Sequence, residues 1–94
     1  SKGENRIKEF LEQNNIKFEP QKTFNECIGD KKMLRFDFFI PEKNVIIEYH
    51  GQQHYKENYF FYKNENEIKK ARKYDKIKEM FCHNKSIKFI CLIF

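Results

Sequence analysis

The sequence predicts a small α+β domain with elements in the order α-β-β-β-α-β, a mixed sheet flanked by helices. Three observations predict it. Residues 33–50 alternate in side-chain character around a central Pro41-Glu42-Lys43-Asn44 break, the pattern of two strands joined by a four-residue turn. Apolar residues recur at helical spacing near the N-terminus and again between 64 and 83. The last nine residues, Ser86-Ile87-Lys88-Phe89-Ile90-Cys91-Leu92-Ile93-Phe94, are apolar on both faces, as a buried central strand requires.

Each element follows from local pattern. Ile7, Phe10, Leu11 and Asn14 fall on one face of a helix that ends near Asn14 or Asn15. Residues 16–24 read as a short edge strand interrupted by Pro20, and 25–32, carrying Gly29-Asp30, as a connecting turn. Between 33 and 40, Leu34, Phe36, Phe38 and Ile40 take one face, and Met33, Arg35, Asp37 and Phe39 the other. After the turn, Val45, Ile47 and Tyr49 oppose Ile46, Glu48 and His50, and Gly51 ends the strand. Residues 55–62, with Tyr55, Tyr59, Phe60, Phe61 and Tyr62, form an aromatic loop or short helix. From 64 to 83, Ile68, Ala71, Tyr74, Phe81 and Cys82 share half a helical wheel.

Ninety-four residues allow a single core, so residues 1–94 are expected to form one domain. The opening Ser1 in place of an initiator Met suggests a domain cut from a longer chain. Eleven Phe and five Tyr supply enough apolar area to exclude intrinsic disorder. Three Cys without a C-x-x-C pair exclude a disulfide scaffold and point to a reducing intracellular compartment, cytoplasm or nucleus. No stretch approaches the roughly 20 apolar residues of a membrane span, and no signal peptide is visible. A formal charge of +5 makes nucleic acid the leading partner.

The four-residue turn pairs Ile40 with Val45 and sets Asp37 directly across from Glu48, with Arg35 across from His50. Opposed carboxylates on a face shared with Phe39 and Ile46 repel unless something intervenes. Two readings follow. A hard divalent cation, Mg²⁺ or Mn²⁺, bridges the pair; or the face is exposed and Arg35 and nearby lysines neutralise it. Glu4, three residues before Ile7 and seven before Leu11, falls on the inward stripe of the first helix. It can reach the pair, or it simply favours the positive helix N-terminus. His50 shares the face of Glu48, and Gln53 and His54 follow just past the Gly51 break. A histidine beside a metal can move a proton; a lone one is ordinarily structural.

Asp37, ten intervening residues, then Glu48-Tyr49-His50, resembles the Asp…Glu-x-Lys signature of PD-(D/E)XK nucleases. The segments Leu34-Arg35-Phe36-Asp37-Phe38 and Ile47-Glu48-Tyr49-His50-Gly51-Gln52-Gln53-His54-Tyr55 look like the branch of very short patch repair and phage homing endonucleases. Gly3-Glu4, Asp75-x-x-Lys78 and Cys82-x-Asn84 are similar to that branch as well, so the resemblance covers nearly the whole chain. It implies a restriction-endonuclease-like core and a Mg²⁺-dependent endodeoxyribonuclease. Asp37, Glu48 and the Tyr49 carbonyl would be metal ligands, Glu4 the helical acid, and Gln53 and His54 would line the site. His50 stands where the superfamily carries Lys. Lys78, inside the apolar arc of its helix, is the candidate substitute lysine; the alternative is an i, i+3 ion pair with Asp75.

Lys63, Lys69, Lys70, Arg72, Lys73 and Lys76 either contact phosphates or form a solvated helix face. Aromatics 55–62 either stack on bases or anchor a loop. Cys27, Cys82, His83 and Cys91 match no zinc-ligand spacing. Two functional classes follow: a metal-dependent endonuclease acting on DNA (or, as an intermediate option, RNA), and a catalytically weak nucleic-acid-binding module on the same fold. A domain this small offers little surface for reading a long site, so a homodimer or an attached DNA-reading domain is expected.

Overall fold

The computed structural model describes residues 1–51 and 65–94. Helix α1 (Lys2–Gln13) is followed by strands β1 (Glu19–Ile28), β2 (Met33–Ile40) and β3 (Val45–Tyr49), then helix α2 (Glu65–Asn84) and strand β4 (Lys88–Leu92). The four strands form one mixed sheet in the order β1-β2-β3-β4. β1, β2 and β3 are antiparallel, and β4 runs parallel to β3.

α1 starts where Ser1 caps it, the Ser1 Oγ accepting from the Glu4 N–H at 3.2 Å. Its buried stripe is Gly3, Ile7 and Leu11, an i, i+4, i+8 row narrower than the sequence pattern implied. Phe10 is 58% exposed, and Asn14 sits at the C-cap, its side chain donating to the Phe10 carbonyl at 2.8 Å.

Between β2 and β3 the expected register holds, with Ile40 opposite Val45 and Phe38 opposite Ile47. One 3-10 turn, Pro41–Lys43, makes the connection. Pro41 opens it, and Asn44, at φ 53°, closes it in the left-handed region that asparagine tolerates. The Asn44 side chain donates to the Ser86 carbonyl at 2.9 Å, and its own carbonyl accepts from the Lys88 N–H at 3.1 Å. This clamp sets the start of β4 beside Val45.

Three expectations are corrected. The segment 25–32 is not all turn: β1 runs on to Ile28, and only 29–32 reverses the chain, with Gly29 N–H bonded to the Lys32 carbonyl at 2.9 Å. Cys27, 1% exposed, gives this extension a reason, because it is a core residue. The C-terminal strand is not central: β4 lies at the end of the sheet among the described residues. It is apolar on both faces because each face has its own cluster, Leu92 packing with α1 residues and Phe89 with α2 residues. Finally, the stripe Leu34, Phe36, Phe38, Ile40 does not keep to one side. Phe38 and Ile40 pack with Ile7 and Leu11 of α1, whereas Leu34 and Phe36 pack with Cys82, Ile77 and Phe81 of α2. The change falls at Asp37. The β1–β2 register puts Gln21 opposite it, and Gln21 has φ 50°, a backbone state that breaks strict alternation and costs a non-glycine residue energy.

Gly3 marks the contact that seats α1 on the sheet. A Cβ there would run into the ring of Tyr49. In an exposed helix Gly→Ala stabilises by about 1 kcal/mol; here the added methyl is expected to reverse the sign. Gly3→Ala should destabilise by about 1–3 kcal/mol, the usual range for overpacking, read as a lower urea midpoint at unchanged m-value.

Candidate active site

The paired positions of β2 and β3 end at Phe38–Ile47. At the next step the Asp37 carboxylate takes over, its Oδ2 accepting the Tyr49 N–H at 2.9 Å. Asp37, midway along β2, thereby lies beside the C-terminal end of β3, close enough for the Glu48 charge to act on it.

Glu48 is buried, at 3% exposure, which overturns the exposed-face reading. Its neutralising cation comes from α2 and not from Arg35. Lys78 Nζ donates to Glu48 Oε2 at 2.9 Å, with both side chains largely enclosed. The same ammonium lies 5.2 Å from the centre of the Phe36 ring, within cation–π range. The helical arc that pointed Lys78 inward is thus satisfied by Glu48. Arg35 is exposed, its partner on β1 is Thr23, and the β2–β3 ladder stops short of Arg35 and His50. His50 stands beside Glu48 as the two-residue spacing requires, Nε2 at 3.4 Å from Oε1. With Glu48 ionised, that nitrogen carries the hydrogen.

The two acids titrate in opposite directions. Burial pushes the Asp37 carboxyl up; the Tyr49 N–H offsets part of this, and the negative charges of Glu48 and Glu4 add to it. Burial also pushes Glu48 up, but His50 and Lys78 together outweigh it and hold its carboxyl below the ordinary glutamate value. Neighbouring carboxyls with divergent proton affinity are a recurrent property of acid–base sites. Glu4, half-buried in the first turn of α1, is close enough to raise Asp37, so α1, β2, β3 and α2 all contribute to one locus.

For a group whose folded pKa is raised, stability declines as pH rises from the unfolded to the folded value, and the penalty is complete at neutral pH. Asp37→Asn keeps an oxygen for the Tyr49 N–H and removes that penalty. We expect it to raise the melting temperature at pH 7 by roughly 4–8 °C, the shift that about 1 kcal/mol gives a domain of this size. The gain should shrink toward pH 3, which calorimetric scans across pH would read.

Gln53, His54, Lys63 and the aromatics of 55–62 lie outside the described residues. Lys69, Lys70, Arg72, Lys73 and Lys76 are all exposed on α2, but not equally free. Lys73 donates to Asp30 Oδ1 at 2.8 Å, Lys70 lies 3.9 Å from Asp30 Oδ2, and Lys76 lies 3.9 Å from Glu79. Asp30 also accepts from the Tyr74 hydroxyl at 2.6 Å. Sequence reading missed this cluster, because Asp30 looked only like a turn residue and its partners lie forty or more positions away. Cys27 and Cys82 are buried in the α2-side core, and burial pushes the Cys82 thiol up to about 12.

The metal question turns on the donor set. Among the described residues no three His, Cys, Asp or Glu side chains converge on one point. Asp37 feels the charge of Glu48, and a carboxylate pair is a donor set that could hold Mg²⁺, which keeps several waters and takes one or two carboxylates plus substrate oxygens.

No family model matches the chain, and no solved structure matches it. The chain is similar to uncharacterized protein 033L of Invertebrate iridescent virus 3, at 31% identity over 94 residues that cover 96% of this chain and 47% of the viral protein. The chain therefore spans about half the length of that relative. No helix among the described residues is long and apolar enough to cross a membrane.

Proposed function

We propose that the chain is a Mg²⁺- or Mn²⁺-dependent endonuclease of the PD-(D/E)XK type, with a restriction-endonuclease-like core, hydrolysing DNA phosphodiester bonds inside the cell. The observation that carries this reading is the approach of Asp37 to a buried Glu48 whose counter-ion is Lys78. Acid, acid and lysine arrive from β2, β3 and α2, and their proton affinities diverge.

In this reading Asp37, Glu48 and the Tyr49 carbonyl hold the cation. When bound, a divalent ion supplies positive charge to the phosphate and acidity to water. The chain's own residues do the rest. Lys78 keeps Glu48 ionised and brings an ammonium beside the developing phosphate charge. The Tyr49 N–H fixes the orientation of Asp37. His50 Nε2 can hold or release a proton next to Glu48, and Glu4 adds negative charge that sharpens the demand of Asp37 for a cation.

One observation favours the second reading, a nucleic-acid-binding module without hydrolysis: both Glu48 oxygens already have partners, Lys78 and His50. The two are separated by titrating Mg²⁺ and Mn²⁺ calorimetrically into wild type and Asp37→Ala, beside cleavage of plasmid DNA and of RNA. The nuclease reading expects ion binding and cleavage that Asp37→Ala abolishes. Wild type inert on every substrate, with no ion bound, would leave the binding module. Preference for RNA would change the substrate and leave the centre intact.

A further inference from the structure

A second feature lies away from the carboxylates. The reversal after β1 and the first half of α2 enclose an open groove of about 730 Å³ whose lining includes Asp30, Lys31, Lys32, Arg35, Lys70 and Tyr74. Four of these six are cations. The one acid is already answered by Lys73 and Tyr74. Among the described residues Lys31, Lys32 and Arg35 have no carboxylate within ion-pair distance. The Asp30 cluster ties the turn to α2, so the cations stand on a braced rim. Gly29 contributes to the fit, since a Cβ there would approach the Tyr74 ring at 2.8 Å and Leu34 at 2.9 Å.

We propose that this groove is a phosphate-holding subsite that grips the backbone of a DNA duplex to one side of the scissile position. The ligand class rests on the nuclease reading; the site does not coincide with that centre. Two elements connect them. On β2, Arg35 in the groove precedes Asp37 by two residues, about 7 Å at strand rise. On α2, Lys70 precedes Lys78 by eight residues, about 12 Å of helix. Twelve ångströms is the axial rise of roughly three to four base pairs. A duplex whose backbone reaches Asp37 and Glu48 thus has further phosphates at the depth of the groove. The concave shape, between a turn and a helix, suits a ridge of phosphates better than the flat surface of a bilayer. Lysine and arginine side chains here contact charge and carry no base readout, so the expected contribution is to affinity and its salt dependence, not to sequence choice.

The test measures binding of a fluorescent 24-base-pair duplex by anisotropy in chelator, so that cleavage does not interfere. Lys31→Gln/Lys32→Gln/Arg35→Gln is compared with wild type and with Lys8→Gln/Lys17→Gln/Lys43→Gln, which removes equal charge from exposed sites elsewhere. The groove variant is expected to bind at least about tenfold more weakly at 0.1 M salt. Its log–log salt slope should be shallower by about two to three, at roughly 0.9 for each phosphate left without its cation. The distant variant should change little, and melting curves of both should overlay wild type. Equal losses in the two variants would reduce the effect to net charge and overturn the proposal. So would unchanged binding by the groove variant, or failure of wild type to bind duplex at low salt. A parallel comparison of plasmid cleavage by wild type and Asp37→Ala keeps the two ideas apart. Equal inertness there defeats the nuclease reading while the binding result still decides the groove.

Discussion

Alanine at Asp37 or Glu48 is expected to lower the DNA cleavage rate at saturating Mg²⁺ by about a thousandfold. Loss of a charge-stabilising ligand set removes several kcal/mol of transition-state stabilisation, and each 1.36 kcal/mol is a factor of about ten. The two variants should differ in every other respect. Asp37→Ala removes a carboxylate that burial and neighbouring negative charge disfavour, but it also takes the acceptor from the Tyr49 N–H, so the two effects offset and the fold is little changed. Glu48 is the enclosed partner of Lys78, so Glu48→Ala strands an ammonium in the core and destabilises. Equal losses of activity with a fall in melting temperature in Glu48→Ala alone would be hard to produce by general misfolding. An Asp37→Ala protein that still cleaves at the wild-type rate would remove Asp37 from the chemistry.

The second large effect belongs to Lys78. Lys78→Met leaves a carboxylate that is 3% exposed with, among the described residues, His50 as its remaining hydrogen-bond partner. Breaking one side of a buried ion pair typically costs about 3–5 kcal/mol, a large share of the 5–15 kcal/mol that holds a domain together. The pH dependence carries the signature. In wild type the folded-state pKa of Glu48 lies below its unfolded value. Its contribution is therefore present above the unfolded pKa and fades as pH falls through the folded one. Without Lys78 the His50 contact alone opposes burial, so the folded pKa rises and the favourable contribution of ionised Glu48 at neutral pH is lost. The deficit of Lys78→Met relative to wild type should be greatest near pH 7 and smallest near pH 4. Lys78→Met/Glu48→Gln should recover most of the stability and none of the cleavage. Urea titrations at several pH values measure both, and a neutral-pH deficit under about 1 kcal/mol would show that Lys78 is not the counter-ion Glu48 depends on.

Much of this centre was legible because its determinants are local. Pro41 and Asn44 fix a turn whose length sets Ile40 against Val45 and Phe38 against Ile47; the ladder ends there, and Asp37 reaches β3 through the Tyr49 N–H. Helical periodicity was enough to turn Lys78 inward, although it could not name Glu48 as the recipient. What escaped depends on contacts far apart in sequence. The extension of β1 to Ile28 rests on packing Cys27 beneath α2. The groove requires Asp30 to meet Lys73 and Tyr74. The place of β4 at the end of the sheet among the described residues has no local signature, because a doubly apolar strand is compatible with either location. Gln21 at φ 50° has no signature in sequence, since glutamine is neither glycine nor asparagine.

β3 and β4 run side by side in the same direction, so the chain must travel from Tyr49 to Lys88, through α2, before they can meet. The first three strands form a meander of near neighbours and can zip early; contacts closed over some forty residues form slowly. Lys78 lies within that long excursion. Until α2 docks, Glu48 has no ammonium, so the proposed catalytic apparatus is among the last parts of the molecule to come into being. On the nuclease reading, a nascent or half-folded chain would lack the completed centre.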